Sequence, residues 1–466
     1  MLPDPPRVVA AVADAAGKFE EGFHARLTES PPGERLRALI DLSEQLDLRA
    51  WSEALRAAGL GKAERRAAVV RALEQIARDQ QGRLRAEIDR LKRDREIDYV
   101  REVAIVNRLL VEGSASAILE LARSPEVARI LPDWTSERRS GRASLAAAPV
   151  HGDTFESWAI SAMGVEELWK RGIDGSGVVV ATIDTGTYGA HEQLRDRMLP
   201  DGRGWFDPVE GSSTPHDSHG HGTGVLSVAV GANPGGRIVG VAPGARWASA
   251  LGNWRNFYSR FRMTEAADWV LRVARPDVLI NAWSDDESEC STFDVPFIDA
   301  WKAAEIFVVF PAGNAGPEPA TGEAPASLAG TFPGSDPVFS VAALVKGGEV
   351  LPASSRGPSR CGSPAFPSLG APGDDLPAAA IGGPSAYTLG SGTSLAAGLV
   401  GGAAALLLQA HPELGPREIE TLFRETARAL PALSQPEAMG AGGIDVAAAL
   451  GRLDASDGAS GRGVAP

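Results

Sequence analysis

Apolar and polar positions follow two different patterns along the chain, and the change falls near residue 140. In the first part, 62–97 has apolar residues at i, i+3, i+4 spacing among many Arg and Glu, which predicts a long helix. Strands are predicted at 23–29 (FHARLTE) and 103–113 (VAIVNRLLVEG). A helix that begins at a Ser cap, followed by another strand, is predicted within 114–130. These elements indicate a small α+β domain.

From about residue 155, continuous apolar runs bounded by glycine or polar residues predict strands that are buried on both faces. Such strands are predicted at 175–186 (GSGVVVATIDTG), 276–283 (PDVLINAW) and 306–314 (IFVVFPAGN). Helices are predicted at 264–274, 295–304 and 394–412. Because strands alternate with helices, the sequence predicts an α/β fold with a mostly parallel sheet covered on both faces. In such sheets, functional residues collect at the carboxyl ends of the strands.

Two segments show no clear period. Residues 134–153 mix Ser, Gly, Arg and Pro, which predicts an exposed linker sensitive to proteases. The polar tail is predicted to be disordered. The expected organisation is therefore an N-terminal domain at 1–133, a linker at 134–153, an α/β domain at 154–452 and a disordered tail at 453–466.

Composition narrows the classes of function. The chain has 466 residues and a net charge of −14, which argues against nucleic acid as a partner because phosphate binding needs clustered Lys and Arg. Cys290 and Cys361 are too few for a disulfide framework; pairing stays open, and two buried thiols are favoured. The N-terminus lacks a basic region of the secretory type, and no run of eighteen apolar residues predicts a membrane span. Synthesis in the cytoplasm is expected, with any export by a non-classical route.

Four polar residues lie at predicted element boundaries. Asp184 ends a buried strand, and His221 opens a helix after a loop of small residues. Ser394 opens a helix rich in Ala and Gly, where a hydroxyl and free backbone N–H groups could generate and hold an oxyanion. Asn314 ends another strand, and its amide could donate to that oxyanion. Each also has a plain structural interpretation: a turn for Asp184 and Asn314, and an N-cap for Ser394.

The segment HDSHGHGTGV, 216–225, places three histidines within six positions and raises a second hypothesis, a metal site. Zinc histidines commonly share one helix face, as in HExxH. Here His216 and His219 lie in the loop before His221, and HExxH is absent. A metal ligand role is therefore disfavoured, although a metal-dependent hydrolase remains an alternative.

Taken together, the order Asp, His, Asn, Ser and the segments DTG, HGTGV, AGN and GTSLAA resemble the subtilisin family of serine proteases. Within it, VEELWKRGIDGSGVVVATIDTG and FIDAWKAAEIFVVFPAGNAGP look like the bacillopeptidase F-like branch. The resemblance covers about 155–452, and 20–132 looks like the family's inhibitory propeptide. It implies a subtilisin-like three-layer fold preceded by a small α+β propeptide-like domain.

The resemblance also implies roles for the residues. His221 would be the general base, Asp184 would orient it, and Ser394 would be the nucleophile. Asn314 and the backbone N–H of Ser394 would form the oxyanion hole. The substrate-binding residues would be Ala282, Trp283 and Ser284. Protein or peptide substrates and the chain's own N-terminal domain, as inhibitor, are the partners implied. No cofactor is implied, and a structural calcium ion is allowed but not located.

The sequence departs from the family pattern at several positions. Ala397, Gly398 and Leu399 follow the nucleophile where Ser-Pro-His or Ala-Pro-His is usual, and Gly224 replaces a second histidine. Ala282 to Ser284 stands in place of Ser-x-Gly, so the resemblance does not define the shape of the substrate pocket. A catalytically silent scaffold with this fold is a further alternative, disfavoured by the intact set of polar residues. The related Ser-Glu-Asp peptidases would have Glu in place of His221, so HGTGV excludes them.

Overall fold

The computed structural model of the chain describes residues 4–9, 16–133, 135–137, 144–146, 157–232, 239–254, 257–284, 290–328, 338–430 and 436–460. The strands in chain order are β1 (Arg7–Val9), β2 (Arg35–Leu42), β3 (Glu44–Leu46), β4 (Ile97–Val103), β5 (Arg108–Ser114), β6 (Val127–Pro132), β7 (Thr135–Glu137), β8 (Ser144–Ala146), β9 (Val179–Asp184), β10 (Trp205–Phe206), β11 (Arg246–Leu251), β12 (Asn253–Trp254), β13 (Phe257–Ser259), β14 (Val278–Ile280), β15 (Phe307–Pro311), β16 (Ser340–Leu344), β17 (Leu369–Pro372), β18 (Leu376–Ala379) and β19 (Tyr387–Ser391).

Helices are described in the same order. They are α1 (Phe23–Thr28), α2 (Leu48–Ala57), α3 (Lys62–Arg93), α4 (Ala115–Leu121), α5 (Trp158–Ala162), α6 (Val165–Lys170), α7 (His221–Val230), α8 (Arg260–Trp269), α9 (Val295–Ala303), α10 (Thr393–Ala410), α11 (Pro416–Glu425), α12 (Pro436–Met439) and α13 (Val446–Ser460). A π-helical turn at Val270–Ala274 continues α8.

The chain divides into two compact units. The first comprises Met1–Ser136 together with Tyr258–Val273 and Pro296–Ala304. Its sheet has the antiparallel order β4-β5-β2-β6, with Leu39 of β2 opposite Leu110 and Leu131. Alternate residues of the sheet and the apolar stripe of α3 share one core, which contains Ala38, Ile40, Val111, Leu84, Ile88 and Leu91. This unit therefore has the small α+β architecture that the sequence predicts.

The second unit comprises Glu137–Phe257, Ala274–Val295 and Glu305–Pro466. Its main sheet has seven strands in the order β10-β11-β9-β14-β15-β16-β17, and every pairing is parallel. The helices α7 and α10 pack closely together, since a Cβ on Gly398 would lie 2.8 Å from Val228 and one on Gly402 would lie 2.6 Å from Ala229 O, and both helices contribute aliphatic residues to the main core. The fold class predicted from the apolar runs is confirmed.

Helix α10 is long and apolar enough, by length and composition, to cross a membrane, and among the described residues it is the one helix that meets this test. Within the second unit, 89% of its 18-residue window is buried. The helix thus has the burial expected of a core helix in a large α/β domain.

Several local predictions were wrong. The segment 23–29 contains α1 (Phe23–Thr28) instead of a strand, and the apolar Phe23 and Leu27, four residues apart, are both buried on one face of this helix. The predicted strand at 103–113 is a hairpin, β4 and β5, whose turn contains Asn107 with φ +40°. The continuous apolar run concealed that turn, since Asn is among the residues that tolerate positive φ.

The tail predicted to be disordered is helical as far as Ser460. Asp445 accepts a hydrogen bond from Ala448 N at 2.9 Å and so caps α13, and Arg171 donates to Asp454 at 2.8 Å. Capping and this ion pair outweigh the polar composition. Within the predicted linker, the backbone at 135–137 and 144–146 forms short strands, and the rest of 134–153 lies outside the described residues.

Candidate active site

Asp184 and His221 come together at the carboxyl edge of the parallel sheet. Asp184 is the last residue of β9 and His221 the first of α7. Their side chains join through Nδ1 of His221 and Oδ1 of Asp184 at 2.8 Å, and each side chain is 1% exposed. The approach requires Gly222, because a Cβ there would lie 2.2 Å from Gly186 O. The pairing fixes the imidazole so that Nε2 is the nitrogen left for other chemistry.

The environment of His221 alters its proton affinity. Burial acts to lower the pKa of His221, but the charge of Asp184, the hydrogen bond to it and the charge of Asp217 together raise that pKa above the ordinary value. Nε2 is buried and has no hydrogen-bond partner within the described ranges. A neutral imidazole held in this way can accept a proton at Nε2.

Asp217 organises the loop that leads into α7, and sequence analysis missed it. Its Oδ1 accepts from Thr185 Oγ1, His219 N and Gly220 N at 3.0, 2.9 and 2.8 Å. Its Oδ2 accepts from Thr223 N and Thr223 Oγ1 at 3.0 and 2.7 Å. The carboxylate therefore caps the helix that begins at His221. An Asp four residues before a predicted helix start is a capping signal that could have identified it.

Ser394 lies at the N-terminal end of α10, one residue after the helix begins at Thr393. Its side chain is buried, and Oγ donates to Ala282 O at 3.4 Å. Gly392, which precedes the helix, has φ +145°, a backbone conformation that L side chains rarely adopt. Backbone N–H groups in the first turn of a helix lack intrahelical acceptors, so this end of α10 presents donors close to the hydroxyl.

Asn314 follows β15 and contacts the same helix end. Its Oδ1 accepts from Thr393 N at 3.0 Å and from Thr393 Oγ1 at 3.1 Å. These two bonds orient the amide, so that Nδ2 points away from Thr393. Asn314 is 6% exposed, and no described residue accepts from Nδ2. A buried, oriented donor without a partner is suited to an oxyanion that forms during a reaction.

The three predicted substrate-binding residues have different surroundings. Ala282 offers its carbonyl to Ser394, as described above. Trp283 is buried and packs edge-on against Phe310, with ring centroids 5.2 Å apart, so its indole belongs to the core. Ser284 is buried, and its Oγ donates to Oε2 of Glu323. Glu323 was missed because no local pattern links positions 39 apart in sequence.

The histidine cluster separates in space. His216 packs on Trp205 with centroids 5.4 Å apart, and its Nε2 lies 3.9 Å from Asp207. His219 is exposed, with its ring centroid 6.3 Å from that of His221. Among the described residues, the group whose ligand atoms could meet at one ion is Asp207, Glu210 and His216, without the other two histidines. Asp207 already accepts from Val209 N, Glu210 N and Ser212 N, as a loop-forming carboxylate does.

The two cysteines form a disulfide, so the preference for two separate thiols was wrong. Cys290 and Cys361 are bonded, with Cα atoms 5.4 Å apart and a sequence separation of 71. Sequence spacing could not show this, because the parallel topology brings the two loops together. The bond anchors the chain shortly after Ser284.

A carboxylate–imidazole pair and a buried serine at helix N-termini, above a parallel sheet, define the class of site found in serine hydrolases. The family model of the subtilase family, Peptidase S8, matches residues 175–442. The chain belongs to this family.

Individual relatives agree with that membership. Bacillopeptidase F of Bacillus subtilis (strain 168) is 28% identical over 393 residues, which cover 79% of this chain and 27% of that protein. Serine protease AprX of the same organism is 30% identical over 307 residues, covering 57% of this chain and 65% of AprX. The crystal structure of fervidolysin from Fervidobacterium pennivorans, described as a keratinolytic enzyme related to subtilisin, matches with a TM-score of 0.62 and 20% identity. It covers 97% of this chain and 64% of fervidolysin, and it shows the shared fold. The chain thus spans between about a quarter and two thirds of the length of these proteins.

Proposed function

We propose that the protein is a serine endopeptidase that hydrolyses peptide bonds in protein or peptide substrates. The observation that carries the proposal is the buried 2.8 Å contact between His221 and Asp184, at the same sheet edge as Ser394 and the oriented amide of Asn314. This set contains each group that acyl transfer needs: nucleophile, base, orienting carboxylate and oxyanion donor.

The reaction would proceed through an acyl-enzyme. Nε2 of His221 takes the proton of Ser394 Oγ, and the oxygen attacks the substrate carbonyl. Nδ2 of Asn314 and the backbone N–H of Ser394 donate to the oxyanion of the tetrahedral intermediate. His221 then protonates the leaving amine and later activates the water that releases the acyl group. Asp184 holds the imidazole and stabilises its positive form throughout.

No cofactor is required by this scheme, and structural calcium remains an unlocated addition. The alternative of a metal-dependent hydrolase would need His216, His219 and His221 around one ion. His221 instead uses Nδ1 on Asp184, and His216 contacts Trp205. The alternative of a silent scaffold gives no reason for the buried Nδ2 donor of Asn314, from which no described residue accepts.

We further propose that the N-terminal domain restrains the enzyme. In the first unit, Asp268 of α8 accepts from Ala104 N at 3.0 Å and Ile105 N at 3.1 Å. Asp133 accepts from Phe261 N at 3.1 Å and so caps α8. Because α8 lies within the family-matched region, these bonds join the N-terminal sheet to a helix of the enzyme.

The segment after the N-terminal domain supports the same proposal. In the second unit, β8 pairs antiparallel with β19, with Ser144 opposite Ser391, three residues before Ser394. β7 is the neighbour of β13 in a small sheet. Cleavage is proposed within the linker at 134–153, and most specifically between β7 and β8, at 138–143.

The intact mass of the purified protein, compared with its Ser394→Ala variant, tests both proposals. The wild type is expected to lose a fragment that ends between 134 and 152, and the variant to keep its full mass and lose peptidase activity. A variant that still cleaves peptides would refute the nucleophile. A wild type that hydrolyses casein at full rate without any processing would refute the restraint.

A further inference from the structure

The contact between Ser284 and Glu323 places a carboxylate next to the segments that flank Ser394. β14 and β15 are adjacent parallel strands, so the residues that follow them leave the sheet side by side. After β14, Ala282 O accepts from Ser394 Oγ, and two residues on, Ser284 donates to Glu323. This segment therefore connects the hydroxyl of Ser394 with the carboxylate of Glu323.

The segment that follows β15 also passes close to the carboxylate of Glu323. Gly313, directly before Asn314, has φ +106°, and a Cβ built on it would lie 2.9 Å from Oε2 of Glu323 and 2.8 Å from Ser355 Oγ. A side chain at this position would collide with the carboxylate. Glycine at position 313 therefore leaves room for the carboxylate of Glu323 beside the main chain after β15. The carboxylate thus lies beside both the segment after β14 and the segment after β15, which we call the two extensions.

We propose that Glu323 selects substrates with Arg or Lys on the amino side of the cleaved bond. This inference rests on the proposed endopeptidase function and names its substrate class. A substrate side chain that enters between the two extensions, with its carbonyl at Ser394 and Asn314, meets Glu323 beyond Ser284. A charge-assisted bond from guanidinium or ammonium to this carboxylate favours basic side chains over neutral ones.

The chain's own linker carries matching charge. The segment between β7 and β8 contains Arg138, Arg139 and Arg142, and β8, which comes directly after it, pairs with β19. Self-cleavage after one of these arginines would leave an N-terminus at 139, 140 or 143. The linker therefore supplies the side chain that Glu323 would bind.

The test compares peptide substrates that differ only in Arg, Lys or Leu before the cleaved bond. The wild type is expected to favour Arg over Leu, and Glu323→Gln to reduce the Arg:Leu ratio of kcat/KM by about ten- to a hundredfold. Glu318→Gln is the matched control, because it removes the same charge from an exposed position five residues earlier and should keep the ratio. Benzamidine, a flat monocation, should compete with the Arg substrate in the wild type and much less in Glu323→Gln.

Two results would overturn the inference. The first is an unchanged Arg:Leu ratio in Glu323→Gln with a lower melting temperature. It would assign the carboxylate a structural role, for example with Arg356, whose backbone pairs with Thr321. The second is a mature N-terminus that does not follow an arginine. If the proposed endopeptidase function itself were wrong, the result would differ from both of these, because peptide cleavage would then persist in Ser394→Ala.

Discussion

Replacing Asp268 by alanine should release the N-terminal domain from the enzyme. Its carboxylate is buried, and it accepts hydrogen bonds from two backbone N–H groups in the turn between β4 and β5. Ala104 and Ile105 are themselves 5% and 1% exposed, so water reaches their N–H groups poorly when the acceptor is removed. Loss of the carboxylate therefore leaves two buried donors unsatisfied in the complex.

The magnitude follows from those two bonds. Hydrogen bonds to charged groups contribute about 1.5–3 kcal/mol each, and water that enters the vacated space recovers part of this. A net loss of about 2–4 kcal/mol corresponds to an affinity about thirty- to a thousandfold weaker. Arg272 also pairs with Asp268, within α8 and its continuation. The free enzyme could therefore lose stability too, which a melting temperature would measure.

The assay is inhibition of the mature enzyme by residues 1–133 added separately, with the inhibition constant read from peptide hydrolysis. Asp268→Asn is the matched control, because its amide oxygen can still accept from Ala104 and Ile105. It should lose much less affinity than Asp268→Ala. If Asp268→Ala folds, cleaves peptide normally and is inhibited as tightly as the wild type, the bonds described for α8 do not hold the inhibitor.

Three further outcomes are expected. Asn314→Ala should lower kcat about 10²–10³-fold, the magnitude measured for the matching donor in a subtilisin, with little change in KM; an unchanged kcat would exclude the amide from the oxyanion hole. Asp217→Asn should move the acid limb of the kcat/KM profile to lower pH, because the Asp217 charge raises the pKa of His221 and only the neutral imidazole acts as base; a limb that moves upward would contradict the assignment. A serine-directed sulfonyl fluoride should inactivate the protein and a zinc-selective chelator should not, and activity lost to the chelator and restored by zinc would favour the metal alternative.

The sequence was sufficient to place the proposed catalytic residues that stand at the end of a strand or the start of a helix. Asp184, His221 and Ser394 were placed at a strand end and two helix starts, and the structure has them there, because buried apolar runs mark these boundaries clearly. Short elements were less predictable. Phe23 and Leu27 fit a strand or a helix when only seven residues are considered.

Contacts between distant positions could not be predicted at all. Glu323 meets Ser284, and Cys290 meets Cys361, because separate loops converge above one sheet. No periodic pattern within these loops predicts either contact. Asp217 differs, since its capping role is local and a closer inspection of the loop before His221 would have suggested it.

The Cys290–Cys361 disulfide makes one loop of the protein depend on the redox state of its surroundings. Thiol-reducing systems keep such pairs open in most cytoplasms, whereas the bond forms and persists in oxidising surroundings such as the cell exterior. The bond ties down the chain six residues after Ser284. We therefore expect the two thiols to stay unpaired, and this loop untied, for as long as the chain is in reducing surroundings. In oxidising surroundings the closed pair would hold this loop, so the redox state around the protein would act on the segment beside Ser284 as a second control next to the N-terminal domain.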